Sequence, residues 1–231
     1  MSTIRTPKRP PKPTKVSSRS PFATDVTIAD LLKRLGNIPA NRVRLHPTPG
    51  TATEKDLLEV LDHENRPCEL VDGTLVEKPM GYEESVIALE IGTFLNNFVL
   101  PRNLGIVSGE SGTVRLFPGL VRIPDVAFAS WNCFPDRKEP KTPIPHIAPD
   151  LAVEVLSRSN TKPEMERKLG EYFKAGVKLV WLVDPKTKTV RVYTAVDQFV
   201  RLNEDQTLDG GDVLPGFSVP IAKLFRRREP G

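Results

Sequence analysis

Leu151-Ala152-Val153-Glu154-Val155-Leu156-Ser157 is an apolar run with one carboxylate at its centre. Apolar side chains occupy both parities, the mark of a strand covered on both faces of its sheet. After Pro163 the pattern becomes helical: Met165, Leu169, Tyr172 and Phe173 form one stripe, and Gly176 supplies a left-handed stop. Residues 177–183 are apolar apart from Lys178 and end at Asp184-Pro185, which reads as a second buried strand. Strand, helix and strand in this order make a parallel crossover, so the chain is expected to be α/β, a mixed central sheet flanked by helices.

The acid inside that first strand needs an explanation. An unpaired buried carboxylate costs several kcal/mol, so Glu154 is expected to be ion-paired, solvated in a cleft or bound to a cation. A second acid, Asp125, opens another apolar run in Ile123-Pro124-Asp125-Val126-Ala127-Phe128. Alone it reads as a turn aspartate after proline, but the apolar residues on both sides carry it toward the sheet. Lys168 lies at the flank of the helical stripe, three residues after Met165 and four before Tyr172. From there its amine is expected to snorkel from the core edge into a cleft, or to be an ordinary solvated lysine.

Working outward, Thr27 with Asp30 three residues on announces a short helix, and Thr53 caps a second that carries Leu57, Leu58 and Leu61 on one side. Asp72-Gly73 between apolar runs predicts a hairpin with a type I′ turn. A longer helix is predicted from about 83 to 99, with Ile87, Ile91, Phe94, Leu95 and Phe98 facing inward and Glu84 on the same face at its entrance. Strands are predicted at 105–108, 113–117, 121–129, 189–194 and 198–202, and the chain closes with a short segment to 225. The organisation expected is a disordered basic tail over 1–22, a helical extension and connector over 23–52, the main domain over 53–225 and a basic end over 226–231.

Charge supports that division. The 231 residues carry a net charge of +4, but Arg5, Lys8, Arg9, Lys12, Lys15 and Arg19 stand in an acid-free tail, which leaves the rest of the chain slightly acidic. Such a tail attracts phosphates without sequence preference or simply remains solvated. Its prolines oppose the amphipathic helix of a transit peptide. Only Cys68 and Cys133 are present, without paired spacing, and no run is long and apolar enough to suggest a membrane span, so a reducing cytoplasm is expected. His46, His63 and His146 lack ligand spacing, and no glycine-rich phosphate loop or nucleophile elbow is present.

Taken together, several pieces resemble one family: Glu69-Leu70-Val71-Asp72-Gly73, Ile123-Pro124-Asp125-Val126, Val153-Glu154-Val155-Leu156-Ser157, Lys168-Leu169 with Tyr172, Val180-Trp181-Leu182-Val183-Asp184-Pro185 and Leu214-Pro215-Gly216-Phe217. The chain resembles the Uma-type "putative restriction endonuclease" family of the PD-(D/E)XK nuclease superfamily. That resemblance implies a restriction-endonuclease-like core and a Mg²⁺-dependent, or Mn²⁺-dependent, endonuclease. Its substrate would be nucleic acid, double-stranded DNA first, and the chain would act as a homodimer. It further implies Asp125 and Glu154 as metal ligands, Lys168 as the catalytic lysine displaced onto the following helix, and Glu84 as a third ligand or water-orienting group. Two other readings stay open: a catalytically inactive nucleic-acid-binding or regulatory protein on the same fold, and an interaction module whose acids form only ion pairs.

Overall fold

The computed structural model describes residues 27–226 except Asn65 and Met80. The expected tail over 1–22 and residues 227–231 of the basic end lie outside the described residues. Helices α1 (Ile28–Arg34) and α2 (Glu54–His63) begin at the capping boxes of Thr27 with Asp30 and Thr53 with Asp56. Strands β1 (Cys68–Val71) and β2 (Thr74–Glu77) form the hairpin, with Asp72 and Gly73 at φ of 49° and 68°. Gly73 is required twice there, because a Cβ would also lie 2.7 Å from the backbone of Gly50. There follow α3 (Tyr82–Val99), β3 (Gly105–Ser108), β4 (Val114–Phe117), β5 (Leu120–Arg122), β6 (Val126–Ser130) and β7 (Leu151–Val155). The chain ends with α4 (Lys162–Ala175), β8 (Leu179–Asp184), β9 (Thr189–Ala195), β10 (Gln198–Leu202), β11 (Thr207–Gly210), β12 (Leu214–Pro220) and α5 (Ile221–Leu224).

The expected crossover is the centre of the molecule. Strands β7 and β8 are parallel, joined by α4, within a six-stranded sheet ordered β10-β9-β8-β7-β6-β3 whose other pairings are antiparallel. Thr161 caps α4 reciprocally with Glu164, and Gly176 stops it at φ 102°. A smaller four-stranded sheet, β2-β1-β5-β4, and the β11-β12 hairpin complete the β structure. No helix among the described residues is long and apolar enough to cross a membrane.

The large sheet is covered on both faces, and the two faces alternate along β7. Leu151, Val153 and Val155 pack with Ile87, Ile91 and Leu95 of α3, and Trp181 stacks on Phe217 in the same layer. Ala152 faces the opposite layer, built from Met165, Leu169 and Tyr172 of α4 with Leu31, Leu35, Val71 and Val76. Glu154 shares the parity of Ala152, so its carboxylate points between α4 and the small sheet.

Two expectations are corrected. The run over 121–129 is not one strand: β5 belongs to the small sheet and β6 to the large one. Pro124 lacks the N–H that a continuous ladder requires, and the chain changes sheets across Ile123-Pro124-Asp125. The closing segment is also richer than expected, since β11 and β12 pair and place Leu208, Leu214 and Phe217 in the core beneath α3.

Candidate active site

The sheet register brings the two sequence-predicted acids together. Strands β6 and β7 pair Val126 with Val153 and Ala127 with Ala152, so one step further Asp125 stands opposite Glu154. The Asp125 N–H still donates to Val153 O at 3.0 Å, which keeps the aspartate in register although its strand has ended. Directly opposed residues on one face have Cβ atoms about 5 Å apart. Both side chains are buried, 3% and 4% exposed.

Each acid meets an ammonium group. Asp125 Oδ1 lies 2.7 Å from Lys78 Nζ, and its Oδ2 accepts the Val155 N–H at 2.6 Å. Lys78 also donates to the Ile123 carbonyl. Both Glu154 oxygens accept from Lys168 Nζ at 3.1 Å, and Tyr172, one turn further along α4, donates its hydroxyl to Glu154 Oε1 at 2.5 Å. Lys168 therefore does not snorkel to the cleft. The small sheet covers that flank of α4 and supplies Glu69, whose Oε1 is 3.1 Å from the same ammonium.

Glu69 extends the network into the small sheet. Its Oε1 accepts the Ile123 N–H at 3.1 Å, and its Oε2 pairs with Arg122 at 2.7 Å. Arg122 reaches on to Glu171 of α4 at 2.5 Å and 2.8 Å. Glu69, Asp125, Glu154 and Glu171 thus meet Lys78, Arg122, Lys168 and, on Glu171, Arg167, and this balance of charge makes their common burial tolerable. Burial pushes the Glu154 carboxyl up against the pull of Lys168 and Lys78, with the Asp125 and Glu69 charges adding to the rise. The same burial acts on Glu69, but Lys168, Arg122 and Lys78 outweigh it and hold that carboxyl well below its ordinary value. Burial would lower Lys168, yet Glu154 and Glu69 raise it, so the ammonium form is firmly held.

Glu84 stands apart. It is half-buried in the first turn of α3, its carboxylate folded back over Gly81, where a Cβ would come 2.2 Å from Oε2. Among the described residues no hydrogen bond or ion pair joins it to Asp125 or Glu154. It lines an open cleft of about 2020 Å³ beyond the C-terminal ends of β7 and β8, together with Ser157, Arg158, Asn160 and Arg191. Leu156, Met165, Leu169 and Leu182 form part of that cleft's wall, and neither Asp125, Glu154 nor Lys168 reaches its lining.

The residues fit a divalent ion in kind: two adjacent carboxylates are the hard donors that Mg²⁺ prefers. They do not yet fit it in charge, because an ammonium faces each acid. Among the described residues no group of three or more His, Cys, Asp or Glu side chains is disposed to hold a metal ion.

Sequence reasoning missed Glu69, Lys78 and Arg122 as members of this cluster. The signal was the one used for Glu154, a lone charge in an apolar run: Glu69 within Cys68-Glu69-Leu70-Val71 and Arg122 within Leu120-Val121-Arg122-Ile123. Tyr172 was read as part of an apolar stripe and as one of the family-like pieces, and its hydroxyl contact was not anticipated.

A family model described as "Putative restriction endonuclease" (Uma2) matches residues 54–222. Among solved structures, the chain is similar to a "putative nuclease belonging to DUF820" from Anabaena variabilis, with a TM-score of 0.63 and 24% identity over 73% of this chain and 96% of that one. At that identity the likeness speaks for the fold. No curated protein matches the chain.

Proposed function

The chain belongs to the Uma2 family, described as "Putative restriction endonuclease", and from that premise we propose that it is a Mg²⁺-dependent endonuclease hydrolysing phosphodiester bonds in double-stranded DNA. The observation that carries this reading is that Asp125, one residue before β6, stands opposite Glu154 of β7, with Lys168 bonded to the glutamate. Asp125 and Glu154 would hold the ion, with Mn²⁺ as a substitute, and Glu84 would join them if the first turn of α3 moved inward. Bound there, Mg²⁺ supplies Lewis acidity toward the phosphoryl group.

The protein's own part is to orient and neutralise. Tyr172 and Lys168 fix the Glu154 carboxylate from one side. Glu154 and Glu69 already engage the Lys168 ammonium, so Lys168 would act on a phosphoryl group through its positive charge beside Glu154. The neighbouring cleft would hold the polynucleotide, and cleavage would require the wall of Leu156, Met165, Leu169 and Leu182 to open between it and the two acids. Arg158, Lys186, Arg191 and Lys223 line the cleft, and among the described residues none of them is ion-paired. A second copy of the chain would serve the second strand.

One observation favours a different reading. Both carboxylates already face ammonium groups, the arrangement expected of a catalytically inactive nucleic-acid-binding protein that keeps the fold. Incubating the purified full chain with supercoiled plasmid and Mg²⁺ or Mn²⁺ separates the two. The nuclease reading requires nicked or linear product from the wild type and none from Glu154→Gln that remains folded by circular dichroism. Intact plasmid with both ions, accompanied by a retarded gel band, would leave the binding reading in its place.

A further inference from the structure

We infer that Lys78 is an internal cation standing where a divalent ion would meet Asp125, and that its ammonium has to withdraw before an ion binds. This rests on the metal-dependent reading above. Asp125 has one oxygen committed to the Val155 N–H and the other facing Lys78 Nζ at 2.7 Å. A Mg²⁺–oxygen bond is about 2.0–2.1 Å long, so ion and ammonium compete for the same side of the carboxylate. The Lys78 side chain is 4% exposed, and its second bond, to the Ile123 carbonyl, holds it against the end of β5.

The two lysines of the cluster differ in how they are held. Lys168 is in the middle of α4 and divides its ammonium between Glu154 and Glu69, so its departure would disturb two acids at once. Lys78 lies one residue past β2, on the connector to α3, with its backbone fixed by a bond from its N–H to Pro67 O at 2.9 Å. Its side chain is held by Asp125 and the Ile123 carbonyl, so its withdrawal breaks no hydrogen bond within a helix or a strand ladder. The cost is the ion pair itself, which sets the ion concentration at which the site loads. Lys78 is a positioning residue that makes loading competitive.

The test is Mn²⁺ binding by the full-length protein, read from the loss of the free-ion electron paramagnetic resonance signal. Lys78→Met is expected to bind Mn²⁺ at least tenfold more tightly than wild type, and Asp125→Asn to lose binding. Because Lys78→Met strands a buried carboxylate, a second measurement uses the wild type alone: acetylation with an amine-reactive reagent, mapped by mass spectrometry. Lys78 should be protected in chelator and modified in saturating Mn²⁺. Equal affinity of Lys78→Met and wild type, or continued protection of Lys78 in Mn²⁺, would overturn the inference. If wild type binds Mn²⁺ through Asp125 but Lys78→Met binds no better, the metal-dependent reading stands and the role of Lys78 falls. If neither protein binds the ion, both fall.

Discussion

Lys168 carries more of this molecule than a surface lysine could. It is 2% exposed and answers two carboxylates, Glu154 and Glu69, so it is both a structural counter-ion and the group nearest the proposed chemistry. Lys168→Met is therefore expected to lose stability as well as turnover, by about 3–5 kcal/mol, because it strands buried acids. Urea denaturation followed by circular dichroism measures this, and a change under 1 kcal/mol would show that Arg122 and Tyr172 suffice for the two acids. Tyr172→Phe removes only the hydroxyl bond to Glu154 and should cost about 1–2 kcal/mol. At this scale the sequence was half legible. Glu154 and Asp125 could be found as charges within apolar runs, and their register follows from strands that each announce themselves. That Lys78 meets Asp125 could not be read, because Lys78 follows β2 of the other sheet and the pairing depends on how two layers dock.

Elements beyond the residues matched by the family model prove to be part of the core. Leu31 and Leu35 of α1, with Ile38, pack in the layer of Met165, Leu169 and Tyr172. Arg42, in a short turn of 3₁₀ helix, makes a bidentate pair with Glu164 at 2.7 Å and 3.0 Å, both side chains almost fully buried. The segment over 23–52, expected to be an extension with its connector, is through its described part a wall of the α4 layer. A chain starting at residue 53 is therefore expected to melt well below the full chain, since each lost Leu or Ile contact is worth about 1.5–3 kcal/mol. The Arg42 pair also has a pH signature. Burial raises Glu164, but the bonds from Arg42 and the charge of Lys168 outweigh it and hold the carboxyl below its ordinary 4.5. A depressed carboxyl contributes stability above the unfolded value and loses it as pH falls below about 4.5 toward the folded one. Glu164→Gln should abolish that acid-limb contribution and cost about 3–5 kcal/mol at neutral pH, because Arg42 is left unpaired. Melting temperatures from pH 3 to 7 show both effects together. The capped helices and the Asp-Gly hairpin were legible because their signals are local. The β11-β12 pairing was not, since Thr207-Leu208-Asp209-Gly210 is short and half polar and is defined only by the partner strand.

The whole molecule places its two candidate regions on different sides of one wall. The ionic cluster is closed between α4 and the small sheet, while the open cleft lies beyond the ends of β7 and β8. Phosphate binding in the cleft and loading of the cluster should therefore be separable. Arg158→Ala with Arg191→Ala is expected to weaken duplex binding and to reduce the slope of log affinity against log salt by about 2, one for each lost phosphate contact. Fluorescence anisotropy across a salt series measures it, and an unchanged slope would move the polynucleotide elsewhere. The same variant should leave Mn²⁺ binding at Asp125 and Glu154 unaltered. The most direct measurement of the central claim is the anomalous difference map of a crystal of the full chain grown with Mn²⁺ and a short duplex. The account predicts a peak bridging the Asp125 and Glu154 carboxylates, with the Lys78 ammonium withdrawn from Asp125. A map without a peak there, with Lys78 still on Asp125 and Lys168 on Glu154, would contradict it.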